Sequence, residues 1–204
     1  MINDQWLESE STPACHGAPA TISLGSVEEG KSMAETFAEY AQRLRGYLGG
    51  KDPVQSMQQA AAELAGLVQN VPEGVAKRSP EPGKWSIAEI VAHLADTELV
   101  SGYRFRAIAG GEDGVTIVGY DQDRWAAAGN YRAAKIEDSL KTFLAIREAN
   151  LRYLKGLPES SWNKFGVHSE RGRESLRDLV QLTAGHDLNH IGQIKKILSS
   201  AQAA

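Results

Sequence analysis

A 23-residue connection, residues 110–132, is the feature that most restricts how this chain can fold. It interrupts a sequence that otherwise reads as helical. Five stretches repeat apolar residues every three or four positions, the pattern of a helix with one buried face. The first opens at Ser32 with Glu35 three residues on, a capping-box spacing, carries Phe37, Tyr40, Leu44 and Leu48, and stops at Gly49-Gly50. The second opens at Asp52-Pro53, an N-cap followed by proline at the first helical position, and runs through Met57, Ala61, Leu64, Val68 and Val71. Segment 72–85 holds three prolines and two glycines and breaks the pattern. A third helix opens at Ser86 with Glu89 three residues on, shows Ile87, Val91, Leu94, Ser101, Phe105 and Ile108 on one stripe, and stops at Gly110-Gly111. The fourth spans about 133–157, with Ile136, Leu140, Phe143, Leu151 and Leu154 inward, and the fifth about 174–198. Strand patterning is weak everywhere, and the run 114–120 is the one candidate.

Two histidines, His186 and His190, lie four apart in the fifth helix and project from one face, on the stripe of Leu176, Leu179, Val180, Thr183, Ile194 and Leu198. Burying two adjacent imidazoles without partners is costly, since each has polar nitrogens to satisfy. A third, His93, sits at the edge of the apolar stripe of the third helix. It lies about 10 Å past the start of its helix, and His190 about 12 Å before the end of the fifth. Those levels match only if the third and fifth helices run antiparallel. The fourth must then run parallel to the third, which needs a crossover the length of the bundle, and residues 110–132 can span the roughly 36 Å required. The expected fold is therefore all-α: a four-helix bundle of up-down-down-up topology with a long crossover, plus one extra N-terminal helix. Residues 1–31, rich in Ser, Gly, Thr and acids, read as a flexible tail and 32–200 as the bundle domain.

Three neutral imidazoles on helices make an open site for a divalent metal, zinc or nickel foremost. Closed structural zinc sites mostly use thiolates, and the single cysteine, Cys15, lies in the tail. That lone cysteine permits no internal disulfide, which fits a reducing compartment, and the cytoplasm is the expected location. A net charge of −4 argues against nucleic-acid binding, and no apolar run is long enough to span a bilayer. An open metal site activates water or a thiol, so the expected reaction is hydrolysis or thiol-dependent S-transfer on a small-molecule substrate. The alternative is a metal-binding or interaction bundle without turnover. A homodimer through the bundle's flat faces is also expected, with the first helix as a contact.

Several further residues are candidates for the pocket. Asp187 neighbours His186, and Glu98 lies on the stripe of Leu94 and Phe105, an unusual place for a carboxylate. Arg147 and Asn150 continue the Phe143–Leu154 stripe, where an arginine would suit an anionic substrate group. Asp121 and Asp123 lie in the crossover, which could fold over the metal mouth, with Trp125 anchoring that loop by burial. His168 precedes the fifth helix and is expected to be structural, at the end of the bundle away from the metal. A zinc-protease reading fails on the motif, since the fifth helix reads HDLNH and lacks the glutamate of H-E-x-x-H.

The stretches GKWSIAEIVAHLADTE (83–98), YDQDRWA (120–126) and GHDLNHIGQI (185–194), taken in this order, resemble the DinB/YfiT-like superfamily of metalloenzymes. The resemblance covers about residues 33–199. It implies a four-helix bundle of up-down-down-up topology and a metal triad of His93, His186 and His190. Members of known activity include thiol-dependent transferases and isomerases that use bacillithiol, mycothiol or glutathione, so a low-molecular-weight thiol is a possible cofactor.

Overall fold

Helix formation starts four residues later than the Ser32 pattern implies. The computed structural model of the chain describes residues 35–202, so Ser32 and the expected tail lie outside the described residues. Helix α1 is Phe37–Leu48, and its capping box is Thr36 with Glu39: Glu39 accepts from the Thr36 backbone N–H at 2.8 Å and Thr36 accepts from the Glu39 N–H. Glu35, the expected capping partner, is instead held by Arg43, which donates to both its oxygens at 2.9 Å.

The other expected helices form close to their sequence signals. Helix α2 is Pro53–Val68 and is capped by Asp52, which accepts from the Gln55 N–H at 2.7 Å. A single helical turn, α3 (Glu73–Ala76), sits inside the proline-rich break. Helix α4 is Ile87–Gly110, with the Ser86–Glu89 capping box in place. Helix α6 is Ile136–Lys155 and α7 is Leu176–Gln202. The crossover between α4 and α6 is not bare loop: it carries strand β1 (Val115–Ile117), helix α5 (Gln122–Ala128) and a short 3-10 turn, Tyr131–Ala133.

Side-chain pairing gives the direction of each bundle helix. His93 meets His186 and His190, while Ser101, further along α4, meets Thr183, further back along α7, so α4 and α7 run antiparallel. Glu98 bonds Arg147, and Arg106 bonds Asn150 and stacks on Tyr153, so α4 and α6 run parallel. Val54 and Met57 of α2 pack with Leu179 and Val180, and Leu64 and Val68 with Ile194 and Ile197, so α2 runs parallel to α7. The result is up-down-down-up, and the crossover spans the bundle as its length requires. Helix α1 lies outside the four, packed on α7 through Ala41, Leu44 and Leu182. The two backbones approach closely at Gly185, where a Cβ would run into the Leu44 carbonyl.

Two apolar clusters fill the bundle. One, around Leu64, Trp85, Ile90, Leu94, Phe143 and Ile194, surrounds the level of His93. The other, around Met57, Phe105, Ile108, Leu154 and Val180, fills the opposite end. That second end is closed by a small sheet, of which the sequence pattern signals only β1, inside the candidate run 114–120. Strands β2 (Phe165–His168) and β3 (Gly172–Ser175) pair antiparallel, and β1 pairs with β2 in parallel, Ile117 opposite His168. The inward residues of β2 are Gly166 and His168, so no apolar alternation marks it. Gly166 is required by closeness, because a Cβ there would lie 2.7 Å from Ile117 Cγ1 and 2.9 Å from the Val115 carbonyl. Among the described residues no helix is long and apolar enough to cross a membrane.

Candidate metal centre

The antiparallel contact of α4 and α7 brings His93, His186 and His190 to one point. Nε2 of His186 lies 3.1 Å from Nε2 of His93 and 3.0 Å from Nε2 of His190, and one nitrogen from each ring lies within 4.8 Å of the other two. Two imidazoles bound to one tetrahedral ion at 2.0–2.1 Å would place their nitrogens about 3.3 Å apart, so the spacing fits a shared cation. His93 and His190 are buried and His186 half-buried. Burial first, and the neighbouring imidazoles second, push His93 and His186 well below the usual histidine range, so both rings are neutral and able to act as ligands near neutral pH. No carboxylate or thiol joins the three among the described residues. The donor set is therefore three imidazoles with positions left open.

One imidazole is oriented by a group outside the triad. Nδ1 of His190 lies 2.7 Å from Gln193 Oε1, which accepts from the ring N–H and leaves the Nε2 lone pair facing the other two histidines. The Trp85 ring covers His93, centroids 4.8 Å apart, and Tyr131 packs on Trp85. Nδ1 of His93 and of His186 is buried without a hydrogen bond among the described residues.

The crossover folds onto this site through hydroxyl groups. Thr97, one turn past His93 on α4, places Oγ1 3.4 Å from His93 Nε2, and the Tyr120 hydroxyl lies 2.9 Å from Thr97 Oγ1. Tyr131 donates a short hydrogen bond to Asp96 on the same helix. Burial, then the Asp96 carboxylate, raises the Tyr131 phenol above its ordinary value. Gln193, Thr97 and Tyr120 all lie within the three stretches that carry the family resemblance, but nothing in helical spacing singles them out as contacts of the triad.

The remaining expected residues divide between structure and site. Asp187 and Glu98 do not face the triad. Both are held by Arg147, whose Nη1 and Nη2 donate to Asp187 at 2.7 and 3.0 Å and whose Nη2 donates to Glu98 at 2.7 Å. Arg147 also donates to the Met57 carbonyl at 2.9 Å, and Asn150 donates to Glu98 Oε1 at 2.8 Å. Arg147 is 1% exposed and doubly neutralised, which removes it as a site for an anionic substrate. Burial disfavours its charge, yet Asp187 and Glu98 more than offset that and hold it above its ordinary value. Asp121 is the N-cap of α5, accepting from the N–H groups of Asp123 and Arg124, and burial followed by the Asp121 charge raises the Asp123 carboxyl. Trp125 is not a buried anchor: it is 38% exposed and leans on Tyr120, ring centroids 4.8 Å apart. His168 lies in β2 at the other end of the bundle, buried beside Arg104.

Known proteins resemble this chain in sequence and fold. A protein of Oceanobacillus iheyensis, provisionally named a metal-dependent hydrolase, is 29% identical over 118 residues, 58% of this chain and 67% of its own length. YfiT of Bacillus subtilis, named in the same provisional way, is 21% identical over 145 residues, 71% of this chain and 81% of its own. A YfiT structure, described as a metal-dependent hydrolase candidate with an unusual four-helix bundle topology, superposes with a TM-score of 0.69 at 18% identity, covering 86% of this chain and 94% of that one. A sequence model of the DinB superfamily matches residues 56–194, which include all three histidines, and the chain belongs to that superfamily.

Proposed function

We propose that this chain is a metal-dependent hydrolase of a small-molecule substrate, with one divalent ion, zinc or nickel, held by His93, His186 and His190. The observation that carries the reading is the convergence of three imidazoles with no further protein ligand beside them among the described residues. A divalent ion bound there supplies Lewis acidity, lowering the pKa of a neighbouring water or thiol toward neutrality. The protein's own part is orientation and proton handling. Gln193 fixes the His190 tautomer, and Trp85 shields His93 from solvent. Burial raises the Tyr120 phenol above its ordinary value, so its hydroxyl stays protonated and can donate through Thr97 to a group at the open side of the triad. The provisional names of the Oceanobacillus and Bacillus relatives support hydrolysis over thiol transfer.

The test is turnover by the full chain after chelation and reloading with zinc or nickel, screened on activated esters and amides with and without an added low-molecular-weight thiol. Hydrolysis that needs the metal, needs no thiol and is lost in His186→Ala supports the reading. Turnover only with the thiol reassigns the site to S-transfer, and no turnover under either condition leaves a binding bundle.

A further inference from the structure

Arg104 lies on α4 about 10 Å beyond Thr97, on the side of the helix that faces the crossover. Its side chain is buried, 6% exposed, yet among the described residues no carboxylate lies within ion-pair distance of it. Nη2 donates to the Val118 carbonyl at 2.8 Å and approaches His168 Nε2 at 3.4 Å, while Nε and Nη1 make no hydrogen bond among the described residues. The contrast with Arg147, clamped between two carboxylates, is direct.

The charges around Arg104 do not cancel it. Arg171 lies nearby and is neutralised by Glu174 at 2.9 Å. Glu170 and Glu174 offset the Arg104 charge in part, but neither bonds it, and His168 is held neutral beside it. Burial and Arg171 together lower the Arg104 pKa. Pinning the Val118 carbonyl needs only a neutral donor, so that bond does not account for a buried cation. What Arg104 lacks is an anion.

Tyr120 connects this arginine to the triad. Its ring lies 5.8 Å from the Arg104 guanidinium carbon, and its hydroxyl bonds Thr97 beside His93. We propose that Arg104 binds the carboxylate group of a small-molecule substrate whose reacting end lies at the triad, with Tyr120 between the two. The substrate class is then a carboxylate-bearing molecule; this rests on the triad being the reaction centre. A guanidinium suits a carboxylate through charge-assisted hydrogen bonds from its unused N–H groups.

The test is an NMR titration of the full-length, metal-loaded, nitrogen-labelled protein with succinate, and with neutral succinamide at matched ionic strength, reading the Arg104 Nε–H resonance. The expected result is a saturable shift with succinate and none with succinamide. The shift persists in His186→Ala, which removes a metal ligand. Arg104→Gln weakens succinate binding roughly tenfold, read at the Gly119 amide, and Arg104→Lys restores it to within about threefold of wild type. An Arg104 resonance that ignores succinate, or responds equally to succinamide, overturns the proposal in the wild-type protein alone. A shift that vanishes in His186→Ala also overturns it, because succinate is then bound at the triad. A protein that shows the shift but carries no metal keeps the anion site and removes the hydrolase reading.

Discussion

Arg147 on α6 grips Asp187 on α7 with two hydrogen bonds, 2.7 and 3.0 Å long, next in sequence to His186 of the histidine triad. With Glu98 on α4 and the Met57 carbonyl on α2, this one guanidinium touches all four bundle helices. It forms a charged layer between the two apolar clusters. Two carboxylates share it, and burial pushes Asp187 up to about 6 even against the attraction of Arg147.

Removing that cation leaves two buried carboxylates without their partner. Arg147→Ala is expected to cost about 3–5 kcal/mol of stability, the range for breaking a buried ion pair from one side. Urea unfolding of the variant beside wild type measures it. A loss under about 1 kcal/mol would mean that the layer is solvated and does not hold the helices in register.

The small sheet gives the protein an acid-sensitive group away from the triad. His168 is held down at about 4, by burial first and then by Arg171 and Arg104, and both its ring nitrogens face N–H donors. Its folded pKa lies below the unfolded value of about 6.5, so its contribution is full above pH 6.5 and is lost as pH falls toward 4. The stability difference between wild type and His168→Gln is therefore expected to shrink over that window, by at most about 1.4 kcal/mol per pH unit. A difference that stays constant from pH 7 to 4 contradicts the assignment.

Gly185 is where α1 rests on the bundle. Gly185→Ala places a methyl group against the Leu44 backbone, which cannot move aside as a side chain would, and is expected to cost roughly 1–3 kcal/mol. Hydrogen exchange should show the loss concentrated in α1. Protection in α1 unchanged from wild type is the contrary result.

Tyr120→Phe removes one hydroxyl and keeps the ring. Metal content should be unchanged, while turnover falls by roughly tenfold, the scale of one hydrogen bond lost near a reacting group. Equal turnover in the two proteins would confine Tyr120 to holding the crossover.

The topology was legible because two independent lengths agreed: the depth of His93 against His190, and the reach of residues 110–132. Local capping chemistry marked α2 and α4 correctly, since Asp52 and Ser86 each precede a single strong helical pattern. At α1 two S/T-x-x-E spacings follow one another, and the described helix is capped by the second, Thr36–Glu39, while Glu35 is held by Arg43. Of the small sheet only β1 was foreshadowed, by the run 114–120; β2 was hidden because it turns a glycine and a histidine inward, so its fit comes from closeness to Ile117 and not from apolar alternation. The three histidines were readable from helical spacing. Gln193, Thr97 and Tyr120 were not, because each owes its place to a tertiary contact. Arg147 departed from its expected role for the same reason: only packing shows that Glu98 and Asp187 surround it.

Elemental analysis of the untagged full chain, beside His186→Ala, tests the central claim most directly. The account predicts close to one equivalent of zinc or nickel per wild-type chain after reconstitution and a loss of most of it in the variant. A wild-type protein that folds, is exposed to excess metal and retains none would contradict it, leaving three clustered histidines that pack against one another without a metal.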